Sequence, residues 1–343
     1  MLWKFSTQSV NFFMKKILLL ILVTLTVNSC SQKTEKDRSQ QMKSSQGRQA
    51  SKFQTVPVPQ FDGKSAFNYL VRQVDFGPRA PNSDAHHQCL LYLEQELSLY
   101  ADSVQLQKFD VPGYDGTVLR LTNIIAHFNL KSPTHILLTA HWDSRPRADH
   151  QPGGAVDKPI PGADDGASGV AILLEMARGF KQSPPPVGVD IILWDGEDYG
   201  KEGDMNYYCL GAKYWAATKP FSYQPLFAVN LDMVGQKDLQ IPKEGYSVEY
   251  APDVVKLIWD TAENMGVTQF VDRTSEPIYD DHLQLDNVGI KAVDLIDFDY
   301  KYWHTLEDTP DKCSPESLSA IGRVLLQVIY RSLRTYPYYG YER

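Results

Sequence analysis

The sequence predicts an α/β chain, a three-layer α/β/α sandwich around a central mixed β-sheet, and three observations carry that expectation. Short, mostly apolar runs recur at 119–128, 136–140, 189–193, 227–231 and 292–296, as strands buried on both faces require. Stretches with apolar residues at helical spacing alternate with them. Acidic and histidine-containing motifs stand at the ends of these runs, which is where open α/β sheets bind ligands.

At the front, Met14-Lys15-Lys16 precedes an apolar stretch at 17–27. This is a positive segment and a hydrophobic segment, too short to cross a hydrocarbon core of roughly 30 Å. It predicts export, with Met14 as the functional start. The stretch ends Val27-Asn28-Ser29-Cys30, which resembles a bacterial lipobox in which Cys30 becomes lipidated. Residues 1–30 are then a lipoprotein-type signal peptide, and a periplasmic, membrane-anchored protein is expected. From 31 to 52 the only apolar residues are Met42 and Ala50, so burial cannot offset the entropy of ordering. A tether over 31–57 and a single folded domain over 58–343 are expected. Cys89, Cys209 and Cys313 have no CxxC spacing, which leaves pairing and simple burial both open.

Asn82-Ser83-Asp84 ahead of apolar positions at 89, 90, 93 and 97 predicts a capped helix to about residue 100. The alternating segment 104–111 predicts a half-buried strand. Helices are expected at 167–180 and 253–265. Ser314 as N-cap and Pro315 at the first helical position open another, with Leu318, Ile321, Leu325, Val328 and Ile329 on one face. Between 144 and 162, six prolines and glycines predict a long loop. It leads through Gly166 into the 167–180 helix and places Asp165 at that helix's start. No internal repeat or second domain boundary is visible.

The chain has 343 residues, 43% apolar and 22% charged, an ordinary globular composition. A formal charge of -8 argues against nucleic acid, which proteins grip with clustered Lys and Arg. Most of the excess Asp lies in candidate-site motifs, His141-Trp142-Asp143, Asp164-Asp165, Asp195-Gly196-Glu197-Asp198, Asp232 and Asp280-Asp281-His282, to which Trp303-His304 adds an imidazole. Zinc takes about four ligands from histidine nitrogen and carboxylate oxygen, and a catalytic site leaves one position open. Asp165, Asp198 and His304 supply three. Glu197, beside Asp198, then stands near the open position, where a carboxylate of raised pKa can shuttle protons.

From about Gly63 onward, His141-x-Asp143, Gly162-x-x-Asp165, Glu197-Asp198, Asp232 and His304 resemble the zinc-dependent aminopeptidase-like fold group that includes the animal-type glutaminyl cyclases. In its dinuclear peptidases, positions matching His141, Asp165 and Asp232 hold one zinc, and those matching Asp165, Asp198 and His304 hold the other. Three details resemble the cyclase branch: Trp-His-Thr at 303–305, Asp-Asp-His at 280–282, and the turn at 195–198. Asp198 departs from the pattern, since animal cyclases carry Glu there.

The resemblance implies a glutaminyl-peptide cyclotransferase that converts N-terminal glutamine of peptides or proteins to pyroglutamate and releases ammonia. One zinc per chain would polarise the γ-carbonyl. Glu197 would shuttle the proton within a carboxylate network with Asp280 and Asp232. Trp303, His282, Tyr279 and Ile278 would bind substrate, His282 alternatively serving as an orienting hydrogen-bond partner, with Asp281 the alternative to Asp280. His141 would be a second-metal or supporting residue. A monomer touching membrane only through its lipid anchor is expected. The alternative enzyme is a dinuclear zinc aminopeptidase; the alternative from another class is an anchored binding protein that has lost catalysis.

Overall fold

The computed structural model describes residues 56–337; the signal segment with Cys30, and the tether up to residue 55, lie outside the described residues. The main sheet contains β1 (Ser103–Pro112), β2 (Val118–Phe128), β3 (His135–His141), β4 (Gly188–Trp194), β5 (Ala228–Asp232) and β8 (Ala292–Ile296), in the order β1-β2-β4-β3-β5-β8. Two short strands, β6 (Ile241–Lys243) and β7 (Phe270–Thr274), pair separately. β1, β2 and β4 are antiparallel neighbours, whereas β4, β3, β5 and β8 run parallel, so the sheet is mixed as expected.

Strand alternation sorts the apolar runs onto two faces. Ile136, Leu138 and Ala140 of β3 and Val189, Ile191 and Leu193 of β4 join one large core. That core takes in residues of α1 (Gly63–Asp75), α2 (Asp84–Tyr100), α3 (Ala167–Gln182), α6 (Pro252–Met265) and α8 (Pro315–Tyr330). On the other face Leu137, Ile192, Trp194 and Ala228 meet Ala212 and Trp215 of α4 (Leu210–Thr218) and Leu285 of α7 (Asp281–Asp286). Helices therefore cover both faces, which makes three layers. The sequence reading omitted α1, α4, α7 and α5 (Gly245–Tyr250). α1 buries only Ala66, Leu70 and Gln73, too sparse a stripe to read, and α5 and α7 have six residues each.

The chain leaves β3 through α3 to β4, then returns through α4 to β5 on the other side of β3. This reversal of winding opens a crevice at the carboxyl ends of β3 and its neighbours. The packed unit starts at Val56, whose carbonyl accepts from Arg331 Nη1 at 2.8 Å, while Ser183 Oγ donates to the Pro57 carbonyl at 2.6 Å. Cys89, Cys209 and Cys313 are all buried free thiols, the burial alternative of the two left open above.

At the opposite end of the parallel strands, buried Asp190 contacts His127 Nδ1 at 2.7 Å and His135 Nδ1 at 3.1 Å, and accepts from Tyr223 Oη at 2.6 Å. Burial pushes its carboxyl up, but these partners more than offset that and bring it down to about 2; the same contact raises His135. A lowered carboxyl stabilises above its unfolded pKa near 4 and a raised histidine stabilises below its unfolded pKa near 6.5, so the cluster contributes most around pH 5. Asp190→Asn is expected to cost about 2 kcal/mol at pH 5 and clearly less at pH 9. Urea unfolding at both pH values checks this; an equal loss at each would contradict it.

Candidate active site

β3 ends in His141, which pairs in register with Trp194 at the end of β4, and β5 ends in Asp232. The motifs therefore meet at one sheet edge. Past β4 the chain turns through Asp195 and Gly196, the latter at φ 73°, where a Cβ would lie 2.6 Å from Leu121 Cδ1. Asp195 is tied down by His86 Nε2 at 2.8 Å and by the Thr122 amide, which donates at 2.6 Å. The next two residues are Glu197 and Asp198. Their amides both donate to Asp143, at 3.1 and 3.2 Å.

The Asp164-Asp165 turn is held in the same way. Both amides donate to Asp308, at 2.9 and 3.2 Å, and Tyr300 Oη adds a third donor at 2.7 Å. Gly166 follows at φ 103°, packed so closely that a Cβ would sit 2.5 Å from the Asp143 carbonyl. Each ligand-bearing turn thus has one buried carboxylate behind it that satisfies two backbone donors. Asp308→Ala would strand three buried donors and is expected to cost about 3 kcal/mol or more in urea unfolding. A loss under about 0.5 kcal/mol would show that the turn does not depend on Asp308.

His304 Nε2 lies 3.4 Å from Asp198 Oδ1 and 3.7 Å from Asp165 Oδ2, and one ligand atom from each residue falls within 4.8 Å of the others. Asp165 Oδ2 and Asp198 Oδ2 are buried without hydrogen-bond partners. Native interiors seldom leave such atoms unsatisfied, and a cation would satisfy both. One imidazole and two carboxylates are a zinc donor set, so these residues fit the metal. Burial raises the Asp198 carboxyl, but Arg145 and His304 overcome this and bring it to about 2. Burial disfavours charge on His304, yet Asp198 and Asp149 lift it to about 9. A second group shares Asp165: His141 Nε2 stands 3.2 Å from Asp165 Oδ1 and 3.1 Å from Asp232 Oδ1.

Glu197 is buried beside this set, and its carboxyl is pushed well up by burial first and then by Asp198, Asp280 and Asp281. Cys209 Sγ donates to Glu197 Oε1 at 3.5 Å, and an oxygen of Asp280 lies within 4.8 Å of both residues' ligand atoms. Asp280 caps α7 through the Asp281 amide and accepts from Asn230 Nδ2 at 3.1 Å. It therefore serves as N-cap and as neighbour of Glu197 at once. Asp281 has both oxygens buried and unpartnered. Non-glycine residues at positive φ, each costing of order 1 kcal/mol, gather here: Cys209, Met233 and His304.

Trp303 stacks on His304 with ring centroids 3.8 Å apart and also meets His150 at 4.3 Å and Phe298 at 4.9 Å. Ile278, Tyr302 and Trp303 pack around Met233, Ile296 and Tyr300. Tyr279 is half-buried, with Lys213 Nζ 5.5 Å from its ring centre. His282 has no exposed surface and sits between Glu244 at 3.3 Å and Asp294 at 3.6 Å, behind Asp280, the place of an orienting partner. The α7 helix turns it inward, two residues past the cap.

The sequence profile of peptidase family M28 matches residues 123–329, which include His141, Asp165, Glu197, Asp198, Asp232, Asp280 and His304. The chain belongs to peptidase family M28. Within the family, it is 41% identical to a Bacteroides thetaiotaomicron glutaminyl cyclase solved with N-acetylhistamine, covering 80% of this chain and 99% of that one with a TM-score of 0.77. It is 42% identical to a leucine aminopeptidase precursor from the same organism, at the same coverage and TM-score. Among curated proteins it matches the Bos taurus glutaminyl-peptide cyclotransferase at 22% identity, over 60% of this chain and 64% of that relative's length.

Several residues of this M28 site escaped the sequence reading. Asn230 bridges Asp280 and Asp294 at 3.1 Å each and accepts from Thr139 Oγ1 at 2.7 Å. An amide inside an otherwise apolar strand was its available signal. Arg145, Asp149, Asp308 and Glu244 carried none, because their importance lies in partners far along the chain.

Proposed function

We propose that this M28 protein is a glutaminyl-peptide cyclotransferase acting on peptides and proteins with N-terminal glutamine. The observation that carries it is the convergence of Asp280 on Glu197 beside the zinc set and Trp303, in a chain aligned over 99% of a glutaminyl cyclase. Asp165, Asp198 and His304 would hold zinc, which would supply Lewis-acid polarisation of the γ-carbonyl. Trp303 and its apolar neighbours hold the glutamine side chain folded toward its own α-amine, a pre-orientation that lowers the barrier. Glu197 takes a proton from the attacking α-amine and returns it to the departing nitrogen. A bond forms between the α-nitrogen and the γ-carbonyl carbon, the carbon–amide nitrogen bond breaks, and ammonia leaves. Asp280 and Asp281 beside Glu197 add negative charge that keeps it a competent proton holder.

A dinuclear aminopeptidase is the second reading, and the intact His141–Asp165–Asp232 group favours it. Incubation with a Gln-initiated peptide separates the two. Ammonia release without loss of a residue is expected; release of free glutamine would favour the peptidase, and neither product would favour an inactive binding protein. One zinc per chain and a monomeric state belong to the same proposal, as does export with lipidation at Cys30. Support for export comes from the Met14-Lys15-Lys16 segment and the lipobox-like end. Cys30→Ser should move the protein from the membrane to the soluble fraction.

A further inference from the structure

The loop between β3 and α3 contributes a group that neither the metal set nor the proton shuttle contains. Arg145 is 1% exposed, and its guanidinium is fully engaged. Nη1 donates to Asp198 Oδ1 at 2.5 Å and to the Asp198 carbonyl at 3.1 Å. On its other edge, Nε and Nη2 donate to Asp149 at 2.7 and 2.5 Å, and Nη2 reaches Tyr208 Oη at 3.0 Å. Asp149 then extends to His304, with Oδ1 3.4 Å from Nδ1, an ion-pair contact rather than a well-formed hydrogen bond. The His150 amide donates to the His304 carbonyl at 3.2 Å, tying the loop to the backbone of the same ligand.

We infer that Arg145 and Asp149 form a positioning bracket that sets how tightly this site holds zinc, by fixing Asp198 from one side and His304 from the other. Asp198 is a shorter ligand than the Glu of animal cyclases. The planar fork of Nε and Nη2 on Asp149 fixes the guanidinium plane, and from it Nη1 holds Asp198 through both Oδ1 and the carbonyl, which restrains the carboxylate and leaves Oδ2, buried and otherwise unpartnered, for metal. A carboxylate facing the outer nitrogen of a ligand histidine fixes the ring and its tautomer. Two ligands from segments more than 100 residues apart are thereby locked through one guanidinium–carboxylate pair. Lysine cannot reproduce this, because an ammonium has no planar fork.

The inference rests on the zinc reading, and the test separates the two. Zinc affinity is measured by chelator competition, and the visible spectrum is recorded for the cobalt-substituted full chain. Arg145→Ala and Asp149→Ala are each expected to weaken zinc roughly 10–100-fold and to alter the cobalt spectrum. The double variant should be no weaker than the worse single one, and Arg145→Lys should resemble Arg145→Ala. Circular dichroism verifies folding; if Arg145→Ala does not fold, Asp149→Asn must still weaken zinc and shift the spectrum. Folded variants with wild-type affinity and spectrum, additive losses, or full rescue by Arg145→Lys would overturn the bracket. A wild-type chain that takes up no zinc would instead remove the zinc reading beneath it.

Discussion

Glu197→Gln is expected to lower kcat by roughly 10²–10⁴-fold while zinc stays bound, because it removes a proton carrier and little else. The amide has nearly the shape of the carboxylate and can still accept from the Cys209 thiol. It cannot take a proton from the α-amine. Glu197 lies outside the Asp165–Asp198–His304 group, so metal content should not change. Steady-state ammonia release together with zinc analysis checks both halves. Activity within about threefold of wild type would take Glu197 out of the mechanism, and parallel loss of zinc would make it a metal residue.

Withdrawing the metal should have an effect at least as large. With His304→Ala only two carboxylates of the set remain, fewer than zinc sites with three protein ligands require. Zinc content is expected to fall to about a tenth or less, and cyclisation by about 10³-fold or more, given the weight of electrostatic stabilisation in such reactions. Chelation of the wild-type chain should produce the same loss, reversed by added zinc. The metal-free protein should also melt lower, since a ligand that binds only the folded state stabilises it. Full zinc content in His304→Ala would assign the metal to the His141–Asp165–Asp232 group instead.

These expectations depend on structure to unequal degrees. Strand and helix positions were legible because each rests on a local periodicity: α2 begins after Ser83 and α8 after Ser314, and β8 matches its predicted run. Asp165, Asp198, Glu197 and His304 were legible because each follows a strand or opens a helix within a short motif. Their outer partners were not. Asp143 holds Glu197 and Asp198 from 54 and 55 residues away, and Asp308 holds Asp164 and Asp165 from 144 and 143. The motif His141-x-Asp143 names Asp143 but not what it holds, and no local pattern names Asp308, because the hydrogen bonds exist only once the strand ends have converged.

The placement of the 280–282 run shows the same division. As a string, Asp280-Asp281-His282 offers three polar side chains of equal promise. The six-residue helix that starts there sends Asp280 toward Glu197, buries Asp281 without partners, and turns His282 onto Glu244 and Asp294. By itself the sequence determined the α/β class, the motif set and the resemblance to the cyclase branch. Those rest on composition, periodicity and short spacings, which one strand or helix can express. Only the tertiary structure decided which carboxylates share a cavity, which serve as supports for backbone amides, and how Arg145 and Asp149 join ligands from distant segments. Burial, hydrogen-bond satisfaction and the electrostatics of close charges are properties of the assembled strand ends, and they arise when the chain has folded.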